Sequence, residues 1–185
     1  MSDFNLLLEK EIPRLRRYAW ALLHDEGRAD DLVQDTLLRA VAKQHLWQAG
    51  TDLRAWLFTI MHNGHVNNVR RAVRDRAVVD VEDVASTLVA TTDPMAARQL
   101  HELDRAIARL PVEQRQAILL IGLEGMRYDE AAVVMGVPIG TVRSRLSRGR
   151  ELLRKLFEGE ESHQRASTHR EKHTPDKRSS GVPVP

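Results

Sequence analysis

The sequence contains no cysteine. That excludes a disulfide framework, a thiolate metal site and a thiol nucleophile, and it suits a cytoplasmic chain. Aromatic residues are scarce, with three Trp, two Tyr and three Phe. Ala, Leu, Val and Arg dominate instead, a composition that favours helix over sheet. No apolar run approaches the roughly 20 residues that a membrane-spanning helix needs. The N-terminus carries Asp3, Glu9 and Glu11 among its apolar residues, unlike a signal peptide. A cytoplasmic protein without membrane insertion is expected. Catalytic constellations are missing as well: there is no Ser-His-Asp arrangement, no phosphate-cradling glycine loop and no H-E-x-x-H pattern. His62 and His65 stand at a spacing that could bind a metal, but no carboxylate cluster or third His lies nearby in the sequence. His163, His169 and His173 near the C-terminus could hold a metal only weakly. Neither enzymatic activity nor a cofactor nor a metal is expected.

What is present is apolar content of 42%, enough for a packed core, and a formal net charge of only +2. The bulk figure hides a strongly uneven distribution. Between residues 138 and 155 stand Arg143, Arg145, Arg148, Arg150, Arg154 and Lys155 against Glu151 alone. Between residues 25 and 35 stand Asp25, Glu26, Asp30, Asp31 and Asp35 against Arg28 alone. Separate acidic and basic patches point to two partners of opposite character.

Apolar positions recur at helical spacing over residues 5–23, with Pro13 marking a first turn or a break. A second helix is predicted over 28–43, burying Ala29, Leu32, Val33, Thr36, Leu37 and Ala40. Residues 45–51 read as a loop, and Asp52 is the N-cap of a long helix to Val73. Residues 77–94 form an acidic, polar linker. Asp93-Pro94 then looks like a cap followed by a first-turn proline. Helices over 95–110 and 111–121 follow, and two short helices flank Gly136-Val-Pro138. Residues 158–185 carry almost no large apolar side chain and should be disordered. The fold expected is all-α: two small helical domains, 1–76 and 95–157, joined by a flexible acidic linker.

The clearest local pattern runs from Tyr128 to Arg150 and has the form of a helix-turn-helix. Ala131 and Ala132 allow a close helix crossing, and Gly136 supplies the positive φ of a tight turn. With Val137, Val142 and Leu146 facing the core, Thr141, Arg143, Ser144, Arg145, Ser147 and Arg148 are left for exposed faces. Such a helix fits the major groove, where arginine grips guanine O6 and N7 with two parallel bonds. A solvated basic face on a structural helix is the blander alternative.

Leu110-Pro-Val-Glu-Gln-Arg115, the run from Glu124 to Ala131 and the run from Pro138 to Arg148 closely resemble region 4 of extracytoplasmic-function sigma factors. The run from Asp30 to Ala40 resembles region 2.2 of the same family. Leu53-Arg-Ala-Trp-Leu-Phe-Thr-Ile60 with His62-Asn63 resembles regions 2.3 and 2.4. These motifs occur in order over residues 5–157. The resemblance implies a partner in core RNA polymerase, through its β′ clamp helices and β flap, and a second in promoter DNA. It also implies capture by an anti-sigma factor.

By resemblance, Asp31, Gln34 and Asp35 would bind the polymerase, although an acidic face can also be merely solvated. Trp47 would stack on an unpaired base of the −10 element, or else pack internally. Asn63, Asn67 and Asn68 would read base edges there or else stand merely solvated, while Arg70, Arg71, Arg74 and Arg76 would meet phosphates. In this family an acidic residue commonly stands where this chain has Asn67, and a bulkier one where it has Gly64. A free-standing regulator that binds DNA through residues 95–157 is the alternative function.

Overall fold

In a computed structural model, residues 3–75 and 94–171 are described, and all the regular structure among them is helical. The chain forms α1 (Asp3–Leu23), α2 (Glu26–Ala42), a 3-10 turn (Gln44–Leu46) and α3 (Leu53–Asp75). The second cluster comprises α4 (Pro94–Ala108), α5 (Val112–Ile118), a π-helical turn (Leu119–Leu123), α6 (Tyr128–Met135) and α7 (Ile139–Glu171). Residues 76–93, which hold all of the expected linker 77–94 except Pro94, lie outside the described residues, as do 172–185.

Each of the first three helices buries one stripe. Leu8, Leu15, Tyr18 and Leu22 from α1 meet Ala29, Leu32, Val33 and Thr36 from α2 and Leu57, Phe58 and Met61 from α3. At the centre Tyr18 and Phe58 cross edge to face with ring centroids 5.0 Å apart, a favoured aromatic geometry. Asp25 caps α2 by accepting the Arg28 backbone N–H at 2.9 Å. Asp52 does the same for α3 through the N–H of Ala55 at 3.1 Å, as its sequence position predicts. Between α1 and α2, His24 takes the left-handed conformation with φ of 52°. Its ring packs tilted against Trp20, 5.6 Å between centroids, and is held by Asp104 of α4 at 3.1 Å.

Three sequence expectations change. Pro13 does not break α1: it lies exposed inside one continuous helix, so the freed carbonyl one turn earlier can reach water. Helix α2 starts at Glu26 and not at residue 28, because Asp25 provides the cap. The second helix of the helix-turn-helix is not short. It continues to Glu171, past the point where the disordered tail was expected to begin. Arg154 pairs with Glu151 and Glu158 one turn to either side, which favours continuation at that point.

The two clusters pack on each other, and their buried residues are contiguous. Arg115 of α5 donates to the Leu22 carbonyl at the end of α1 at 2.6 Å, and also to the carbonyls of Leu110 (3.1 Å) and Ala108. Burial lowers the pKa of this guanidinium, opposed by the nearby Asp104 carboxylate. Glu124, just after the π-helical turn, is gripped twice from the first cluster. Arg17 donates to its carboxylate at 2.8 Å and Arg54 to its backbone carbonyl at 3.0 Å. Within the second cluster α5 and α7 approach closely at Gly149. A Cβ there would lie 2.7 Å from Ile118 Cδ1.

Candidate nucleic-acid interface

The helix-turn-helix is formed by α6 and the start of α7. Arg127 donates its backbone N–H to the Glu130 carboxylate at 2.8 Å and so starts α6. Ala131 is fully buried, which lets α7 cross close by. Gly136, with φ of 61°, makes the turn, and the Val137 N–H reaches back to the Ala132 carbonyl at 3.1 Å. Val142 and Leu146 are buried and Val137 partly so, as expected.

That packing leaves Arg143, Ser144, Ser147 and Arg148 exposed on the outer arc of α7. Thr141 and Arg145 are half-buried at its margins. The Ser144 hydroxyl donates to the Thr141 carbonyl at 2.9 Å. The Arg143 guanidinium carbon lies 5.7 Å from the centroid of the Tyr128 ring, within cation–π range. Tyr128, at the start of α6, thus restrains the direction of Arg143, a contact between helices that residue types alone did not disclose. Arg145 turns toward the first cluster. The pKa of His62 on α3 is lowered, chiefly by burial and then by the charge of Arg145.

At the far end of α3, Asn63, Asn67, Arg70, Arg71 and Arg74 are all exposed. Trp47 is half-buried, and its ring packs against Phe4 with centroids 5.6 Å apart, as the packing alternative anticipates. The acidic face of α2 presents Asp31 and Gln34 to solvent, while Asp35 is half-exposed and lies 3.6 Å from Arg39. Leu32 and Val33 are core residues. Sequence reading missed the apolar continuation of this face: Leu38, 67% exposed, and Val41 follow Asp31 and Gln34 at helical spacing. His62 and His65 recruit no third ligand, and no metal-binding cluster occurs among the described residues. No helix among those residues is long and apolar enough to cross a membrane.

Residues 8–62 match a family described as the Sigma2 domain of PhyR, and residues 100–153 match Sigma-70, region 4. The chain is 40% identical over 147 residues to the ECF RNA polymerase sigma factor EcfG of Rhodopseudomonas palustris, spanning 79% of this chain and 80% of that protein. The chain is an extracytoplasmic-function sigma factor. The ECF RNA polymerase sigma factor SigC of Mycobacterium tuberculosis is 35% identical over 158 residues, 79% of this chain and 80% of SigC. Among solved structures, the sigma factor RpoE of Bartonella quintana, in complex with the anti-sigma factor NepR, superposes with a TM-score of 0.75 at 38% identity. The match covers 85% of this chain and 98% of that one. As a sigma factor this chain is a transcription-initiation subunit, not an enzyme: it binds core RNA polymerase and directs it to promoters.

Proposed function

We propose that α7 reads the −35 element and that α3 with the loop before it engages the −10 element, while the acidic face of α2 docks on the polymerase clamp. In this division of labour residues 1–76 serve core binding and promoter opening, and residues 95–157 serve −35 recognition. The observation that carries the reading is the outer arc of α7, where Arg143, Ser144, Ser147 and Arg148 stand free of the core that Val142 and Leu146 enter. Arg143 and Arg148 are five residues apart, too far round the helix to address one base, so they touch different positions or strands. Asn63 and Asn67 offer amides for base edges, and Arg70, Arg71 and Arg74 offer charge for phosphates. Trp47 keeps part of its ring exposed for a displaced base.

Asp31, Gln34 and Asp35, with Leu38 beside them, give the polymerase a surface of negative charge around an apolar contact. Regulation by an anti-sigma factor fits an apolar groove of about 840 Å³ between the clusters, walled by Trp20, Leu100, Leu103, Ile107 and Leu123. Such a groove suits the apolar face of a helix. The protein works in the cytoplasm, where its polymerase is.

The test measures transcription by holoenzyme carrying Arg143→Ala or Arg148→Ala on single-base −35 variants. Each substitution is expected to cost about 1–3 kcal/mol at particular base pairs. Unchanged −35 preference and affinity in both would remove α7 as the reader.

A further inference from the structure

The end of α3 does more than display exposed arginines. Together with α2 it encloses an open cleft of about 770 Å³, and among its walls are Arg39, Asn67, Arg70, Arg71, Arg74 and Asp35. Four guanidinium groups there face one carboxylate. Arg39 comes from α2, not from the helix that carries the other three, so the cationic groups converge from two directions. Its guanidinium lies over Gly64: a Cβ at that buried position would be in ordinary contact with it at 3.9 Å and with Leu32 at 3.5 Å. A longer side chain would compete for the space through which Arg39 lies across α3. Asn67 is neutral and leaves Asp35 as the single acidic group of the lining.

We propose that this cleft is a phosphate site for single-stranded DNA in which Arg39 is a direct ligand and Asp35 a built-in competitor. The inference rests on the reading of α3 as a −10 surface and adds to it a residue from α2. Guanidinium groups match phosphate oxygens with paired bonds, and arginines approaching from two helices can hold consecutive phosphates. Asp35 lies 3.6 Å from Arg39 with both side chains about half-exposed, a weak pair that a stronger partner can open. Asp35 also belongs to the acidic face assigned to the polymerase. Engagement of that carboxylate by a cationic partner leaves Arg39 to the DNA, so core binding and strand capture reinforce each other through one ion pair.

The experiment titrates the full chain into fluorescein-labelled oligothymidylate at several salt concentrations and follows anisotropy. Arg39→Ala is expected to weaken binding about five- to tenfold and to lower the salt slope by about 0.7, the share of one phosphate on a single strand. Arg39→Lys, which keeps the charge and the packing stem, should retain the slope. Asp35→Asn should strengthen binding about two- to threefold, and that gain should vanish in the Arg39→Ala background. Circular dichroism establishes that each variant is folded.

Wild-type affinity and slope in Arg39→Ala would overturn the site, as would a gain from Asp35→Asn that persists without Arg39. Displacement by poly-glutamate as effective as by unlabelled oligothymidylate at equal charge would show a general anion surface and also overturn it. Inorganic phosphate competing at micromolar concentration would point to a small-anion pocket instead of a strand site. The assay contains no polymerase and no −35 sequence, so its failure leaves −35 reading by α7 standing.

Discussion

The two helical clusters solve the same packing problem with different means. Helices α1–α3 are long, and their core contains Phe4, Tyr18 and Phe58. The core of α4–α7 contains no buried aromatic ring among the described residues and relies on Leu110, Leu119, Leu120, Val134, Val142 and Leu146. Its elements α5 and α6 are short and are joined by a π-helical turn and Gly125 of positive φ, while Gly136, also of positive φ, turns α6 into α7. A small aliphatic core made of short helices has little surface to bury alone. The second cluster accordingly leans on the first, which supplies Arg17 and Arg54 to Glu124 and the end of α1 to Arg115. The unit that carries the helix-turn-helix is therefore braced by the unit that carries the acidic face of α2.

The strongest way to break this comparison is to open a cavity in each core. Leu57 and Leu120 are both fully buried, and Leu→Ala at either should cost about 2–5 kcal/mol. Because the clusters share buried contacts, calorimetry should show one transition that both substitutions lower. Two transitions, each moved by one substitution, would establish independent units.

A smaller effect comes from His65. Burial, with His62, Arg28 and Arg115 adding repulsion, holds its pKa at about 4, below the 6.5 of a free imidazole. The unfolded chain therefore binds more protons between these values, and stability present above pH 6.5 is lost as the pH falls toward 4. The loss from this group is about 3 kcal/mol at most. Denaturation midpoints across that range should show the decline, and His65→Gln should flatten it. Arg115 belongs to the second cluster, so NMR titration of His65 also reports whether the clusters remain together.

The smallest expected effect concerns the clasp itself. Arg17→Ala leaves the buried Glu124 carboxylate without its ion pair and should cost about 1–2 kcal/mol, moderated because Arg17 is half-exposed. Adding Glu124→Gln should recover part of the loss in urea denaturation. No recovery would mean that Arg17 acts through its aliphatic stem and not through the pair.

Local chemistry in the sequence discloses most of the elements. The stripe of α2, the Asp52 cap, the Gly136 turn and the outward arc of α7 follow from periodicity and backbone preference over a few residues. The contacts between clusters do not, because their partners are distant along the chain. Arg17 meets Glu124 across 107 positions and Arg115 meets the Leu22 carbonyl across 93. The motif around Glu124 was visible, but nothing nearby shows that its carboxylate is buried. Arg39 was likewise invisible as part of a site, since the cleft exists only where α2 and α3 converge.

Gly149 fixes how closely α7 seats on α5, opposite its exposed arc. Ile118 packs against its bare backbone, so a side chain at Gly149 would have to displace Ile118 or push α7 away from α5. At 3.6 residues per turn, Arg145 lies about 40° from Gly149 around the helix and is drawn toward the protein, whereas Ser144 and Ser147 lie on the opposite side. A missing side chain on the inner face thus sets the bearing of the outer one, like a notch that indexes a dial. Filling that notch would mis-aim the arginines without altering any of them.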